Sequence, residues 1–129
     1  MTSTDHPPQL HVVLGATGGI GGAITRELVA QGLPTRAVSR SGQDVVDGAE
    51  SLAADVSDPE QARRAVSEAT VVYHSVMPAY HRWPQEFPAL NHSVVGATRE
   101  VGARLVYVDN LYMYGPTSEA RTEETPQQA

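Results

Sequence analysis

Seven residues, Gly15-Ala16-Thr17-Gly18-Gly19-Ile20-Gly21, follow directly on an apolar run, Leu10-His11-Val12-Val13-Leu14. A buried strand that enters a glycine-rich turn and then a helix is the arrangement that holds a dinucleotide pyrophosphate. Gly15 permits the sharp turn, Gly18 lets the backbone approach the phosphates, and Gly21 lets helix and strand pack closely. With Thr17, Gly19 and Ile20 they make the expected phosphate-binding set, in which the phosphates rest on free N–H groups at a helix N-terminus.

Further chemistry follows at the ends of later apolar runs. Ser39 and Arg40 close the run Thr35–Ser39, and Arg40 lies 25 residues after Gly15. An adenosine ribose belongs at that distance. A carboxylate there would bind a 2′-hydroxyl, whereas an arginine pairs with a 2′-phosphate. Ser39 and Arg40 therefore favour NADP over NAD, with Asp44 and Asp47 as carboxylates that could still reach a ribose. Asp55 and Val56 are placed to flank the adenine, Asp55 accepting from its amino group. His74 and Ser75 end a further run, Val71-Val72-Tyr73, where backbone would line the same cleft.

Some chemistry is excluded. The chain has no cysteine, so disulfides and thiolate catalysis are absent, and a reducing cytoplasm is the expected setting. Histidines at 6, 11, 74, 81 and 92 lack metal-ligand spacing, and no metal is expected. A net charge of −6 argues against a nucleic-acid surface. No apolar run approaches the roughly 20 residues of a membrane span, and the first residues lack a signal peptide's pattern. Asn91-His92-Ser93 matches a glycosylation acceptor, but no secretion signal accompanies it. Trp83 and Phe87 read as packing residues, with a substrate-facing lid as the alternative.

The elements that must position these residues alternate. Strands are expected at 10–14, 35–39, 51–54, 71–73 and 105–108. Helices are expected from Ile20 to a stop at Gly32, from Asp58 onward, and along Leu90, Val94, Ala97 and Val101 to Gly102. Asp58 suits an N-cap, Pro59 the first helical position, and Gln61 the closing arm of a capping box. Residues 44–50 read as a polar connection and 81–88 as a loop or broken helix entry. Strict alternation implies an α/β fold, a Rossmann-like doubly wound parallel sheet of about five strands in the order 3-2-1-4-5, with helices on both faces. Residues 1–9 form a disordered lead-in, 10–116 the domain, and 117–129 a polar tail.

The glycine motif, Ser39-Arg40, Asp55-Val56 and the stretch Leu105 to Gly115 together resemble the short-chain dehydrogenase/reductase superfamily. The similarity is greatest to its extended type, the NAD(P)-dependent epimerases and dehydratases that act largely on nucleotide sugars. That resemblance implies hydride transfer between a carbonyl or hydroxyl substrate and a nicotinamide. It also implies a serine or threonine after the fifth strand, where this chain has Asn110, or Asp109 in a shifted alignment. The family's Tyr-x-x-x-Lys pair is absent, because the chain contains no lysine. The resemblance therefore implies the N-terminal, NAD(P)-binding portion of a longer enzyme, inactive alone. Two other readings stand beside it: a non-catalytic NADP-binding sensor, and a structural subunit that forms a homodimer through its fifth-strand edges.

Overall fold

The computed structural model describes residues 9–44, 46–78 and 80–108. Nine elements follow one another along them: β1 (His11–Leu14), α1 (Gly19–Ala30), β2 (Thr35–Ser39), β3 (Glu50–Ala53), α2 (Pro59–Ala65), β4 (Val71–His74), a 3-10 turn (Tyr80–Arg82), α3 (Trp83–Val101) and β5 (Arg104–Tyr107), so that strand and helix alternate except between β2 and β3, which no described helix separates. The five strands form one parallel sheet in the order β3-β2-β1-β4-β5. This is the expected fold class and strand order.

Alternation along β1 divides the interior into two cores. Val12 and Leu14 face α2 and α3, joining Val38, Val72, Ala62, Leu90 and Val94. Val13 faces the other way, joining Ala37 and Leu28 of α1. All four residues of β1 are buried, because a central parallel strand is covered on both faces. Among the described residues β5 is at the edge of the sheet, and its Val106 and Tyr107 are exposed.

Local signals account for the helix ends. The Asp58 side chain accepts from the Gln61 backbone N–H at 3.3 Å, with Pro59 in the first turn. The expected capping box takes a different form. Gln61 Oε1 accepts from the Asp55 N–H at 2.8 Å, so it steadies the loop after β3. Arg36 reaches from β2 to the carbonyls of Ala65 and Ser67, both at 2.9 Å, and so satisfies the C-terminal end of α2. Gly102 ends α3 at φ 75°, the left-handed conformation that favours glycine.

Of the two forms expected for residues 81–88, a loop or a broken helix entry, the structure has the helical one: a 3-10 turn leads into α3, which runs over 19 residues with Pro84 near its start and Pro88 inside. A proline inside a helix lacks the N–H for one backbone bond. Here the helix is held from its side. Phe87 packs against the main core, Trp83 meets Phe87 edge-on at 5.3 Å, and Trp83 Nε1 donates to the Pro78 carbonyl at 2.8 Å. Trp83 and Phe87 thus pack as expected. Among the described residues no helix is long and apolar enough to cross a membrane.

Two buried histidines couple this fold to pH. Burial lowers the pKa of both His11 and His74, and His11 Nε2 has no hydrogen-bond partner among the described residues. The native state holds these rings neutral below the pH at which the unfolded chain, with ordinary values near 6.5, takes up protons. Stability is therefore full above pH 6.5 and falls as the pH drops through that value towards the lowered native ones. Each ring contributes a slope of up to about 1.4 kcal/mol per pH unit in that window. Urea unfolding at pH 7.5 and 5.5 should show a lower midpoint at 5.5, with a smaller difference in His11→Phe.

Candidate functional site

The carboxyl ends of the strands open into a cleft of about 930 Å³. Its floor is the turn between β1 and α1. Gly15 has φ +85°, and a Cβ there would lie 3.0 Å from the backbone and hydroxyl of Ser75. At Gly21 a Cβ would overlap the Gly15 carbonyl and come within 2.7 Å of Ser75 Oγ. Both positions demand glycine for internal reasons. Gly18 and Gly19 do not: a Cβ on Gly18 meets only ordinary contact at 3.5 Å, and one on Gly19 meets open space. Both line the cleft.

Gly18 is the N-cap of α1 and has no side chain to cap with, and no acidic residue stands in the first turn. The N–H groups of Gly19, Ile20 and Gly21 therefore have no partner among the described residues. Unpartnered N–H groups at the positive end of a helix dipole form a site for an anion. Thr17 and the exposed Ile20 stand on the same wall.

The loops after β2 and β3 form the next wall. Ser39 is buried, and its Oγ accepts from the Gly42 N–H at 3.0 Å, closing a turn that presents Arg40. Arg40 is exposed, lines the cleft and forms no ion pair among the described residues. Across from it, Asp55 Oδ1 accepts from the Ser57 hydroxyl at 2.6 Å and from the Ser57 N–H at 3.1 Å. The Ser57 hydroxyl, with a lesser contribution from the charge of Arg40, lowers the Asp55 pKa. Val56 lines the cleft but is buried in the main core, so little of it is open to a ligand.

The segment after β4 closes the far wall. Ser75 lines the cleft, and its Oγ donates to the Leu14 carbonyl at 2.6 Å, tying β4 to the β1–α1 turn. His74 is placed differently. It is 2% exposed, lies beneath the cleft and is not among the residues lining it. Its place on the strand's alternation points the ring into the α3 core. Asn91, the possible glycosylation acceptor, also turns inward: its Oδ1 lies 3.0 Å from His74 Nε2.

Several lining residues escaped the sequence reading. Arg82, Gln85, Glu86 and Ala89 reach the cleft from the start of α3, with Arg82 and Glu86 paired at 3.4 Å. Two prolines, Pro84 and Pro88, obscure the helical pattern here and leave both a loop and a broken helix entry open. Asn110 and Asp109 lie outside the described residues. Among the described residues no group of three acidic, histidine or cysteine side chains is placed to hold a metal.

Residues 15–128, most of the chain, match the NAD(P)H-binding family. The chain belongs to that family. No curated protein sequence matches this NAD(P)H-binding chain. Solved structures share its fold. A variant of uronate dehydrogenase from Agrobacterium tumefaciens complexed with NAD superposes at a TM-score of 0.76 and 20% identity, over 95% of this chain and 49% of that one. A UDP-galactose 4-epimerase gives 0.75 and 24% over 93% and 45%, and a UDP-glucose 4-epimerase gives 0.81 and 18% over 93% and 41%. The chain spans less than half the length of these structures. They are enzymes of the extended epimerase and dehydrogenase type that the sequence resembles.

The glycine geometry yields a paired test. Gly21→Ala should cost about 1–3 kcal/mol through forced displacement of the turn. Gly19→Ala should be neutral or stabilising by up to about 1 kcal/mol, because it adds helix propensity in open space. Urea denaturation of both variants checks this, and equal effects would contradict the geometry.

Proposed function

We propose that this domain is the NADP-binding part of an oxidoreductase or epimerase-type enzyme acting on a carbonyl or hydroxyl substrate, a nucleotide sugar being one candidate. The observation that carries this reading is the line of features along the sheet's carboxyl edge. A bare helix N-terminus at β1 lies between Arg40, which forms no ion pair among the described residues, at β2 and the Ser75–Pro78 wall at β4. A dinucleotide laid along that edge puts its pyrophosphate on Gly19, Ile20 and Gly21, its adenosine end by Arg40 and Asp55, and its nicotinamide end by Ser75. The fit is physical: Gly18 and Gly19 carry no side chain where the phosphates must approach, and the first turn of α1 holds no carboxylate.

When bound, the nicotinamide supplies a hydride acceptor or donor at C4. The residues of this chain bind and orient it. The backbone N–H groups of α1 take the pyrophosphate, and Arg40 takes the 2′-phosphate through charge-assisted hydrogen bonds. The unengaged Asp55 oxygen accepts from the adenine amino group, while the other is held by Ser57. Asn110 stands where the resemblance puts the residue that orients the substrate oxygen. The fold neighbours named above are enzymes, which favours the catalytic reading over a sensor.

Titration with NADPH and NADH, followed by nicotinamide fluorescence, tests the assignment. NADPH should bind more tightly. Arg40→Ala should weaken NADPH about tenfold to a hundredfold, the range of a charged hydrogen-bond pair, and change NADH less than about threefold. A preference for NADH in the unaltered chain would overturn the NADP assignment.

A further inference from the structure

His74 joins two walls of the cleft from beneath. The Val76 N–H lies 3.4 Å from His74 Nδ1, and Val76 lines the cleft. A ring nitrogen that receives an N–H carries a lone pair, so the proton sits on Nε2, which donates to Asn91 Oδ1 on α3 at 3.0 Å. The Tyr107 hydroxyl donates to the same oxygen at 3.3 Å, and the Tyr107 ring meets His74 edge-on at 5.0 Å. The segment Ser75–Pro78 is thus tied at three points. Ser75 bonds to β1, Val76 to His74, and Pro78 receives the Trp83 N–H. His74 is the one tie of the three with a titratable ring, and burial lowers its pKa below the ordinary histidine value.

We propose that His74 is a positioning residue for the cofactor: its neutral ring holds the Ser75–Pro78 wall to α3, and protonation releases that wall and weakens dinucleotide binding. This rests on the cofactor reading of the cleft. A second proton must go to Nδ1. Nδ1–H would then face the Val76 N–H, donor against donor, and Val76 would lose its acceptor. Among the described residues no charged group touches the ring to offset the new charge. The groups that touch the ring are Asn91 from α3 and Tyr107 from β5, its register partner on β1 is Leu14, and no ionic contribution to the ring is present. Burial accordingly favours the neutral form. The link to function is short, because the residue after His74 closes on Gly15 and the next two line the cleft.

The test combines two readouts on the full chain from pH 8 to 5.5. NADH is the probe, since it lacks the 2′-phosphate, which would itself titrate near pH 6. NADH affinity should fall about threefold to tenfold towards pH 5.5, the size of one hydrogen bond, with the fold intact by circular dichroism. His74→Gln should remove this dependence. Asn91→Asp, which sets a carboxylate against Nε2–H, should move it to higher pH. In the second readout, the Val76 amide should lose hydrogen-exchange protection over the same pH range, after correction for the intrinsic rate. This readout needs neither ligand nor variant. A flat affinity profile in the unaltered chain, an identical profile in a folded His74→Gln, or unchanged Val76 protection would each overturn the proposal. Loss of Val76 protection with no NADH or NADPH binding at any pH would instead overturn the cofactor reading.

Discussion

The structure depends on one close approach. Gly21, in the first turn of α1, lies so near the Gly15 carbonyl that no side chain fits between them. Ser75 completes the junction, its hydroxyl donating to the Leu14 carbonyl. Three chain segments, the end of β1, the start of α1 and the end of β4, therefore meet through backbone atoms and one small polar side chain. A larger residue at any of the three would push α1 from the sheet, and the helix N-terminus would leave the cleft. The position of the bare helix N-terminus and the placing of the β4 loop both depend on this contact.

Around it, the parallel sheet does the sorting. Parallel strands end at one edge, so the residues that follow β1, β2, β3 and β4 are neighbours in space although tens of positions separate them in sequence. Short local bonds then set each loop. Ser39 closes a turn through Gly42, Asp55 closes one through Ser57, and Gln61 steadies Asp55 from α2. Among the described residues these bonds leave Arg40 and one oxygen of Asp55 open towards the cleft. Electrostatics reinforces the pattern, since the charge of Arg40 adds to the Ser57 bonds in lowering the Asp55 pKa.

The legible parts were those with short-range causes. The glycine motif announced the turn, because φ +85° at Gly15 and the contact at Gly21 admit no other residue. Asp58 and Pro59 marked a helix start, and Gly102 marked a helix end. The start of α3 was not legible. Pro84 and Pro88 speak against a helix locally, and only packing of Phe87 and the Trp83–Pro78 bond outweighs them.

By itself the sequence determined the order of elements, the parallel sheet and the glycine turn between β1 and α1, because periodicity, caps and glycine conformations act within a few residues. Tertiary structure alone decided how the side chains near the cleft divide between ligand and core. Ser75 and His74 are adjacent, yet one lines the cleft and the other is sealed beneath it against Asn91. Successive residues of a strand point to opposite faces, but which face is covered depends on a helix 17 positions away. The same holds for Arg82 and Glu86, brought to the cleft by a helix whose start is set by contacts and not by local preference. Partners chosen across such separations leave no mark on the local sequence.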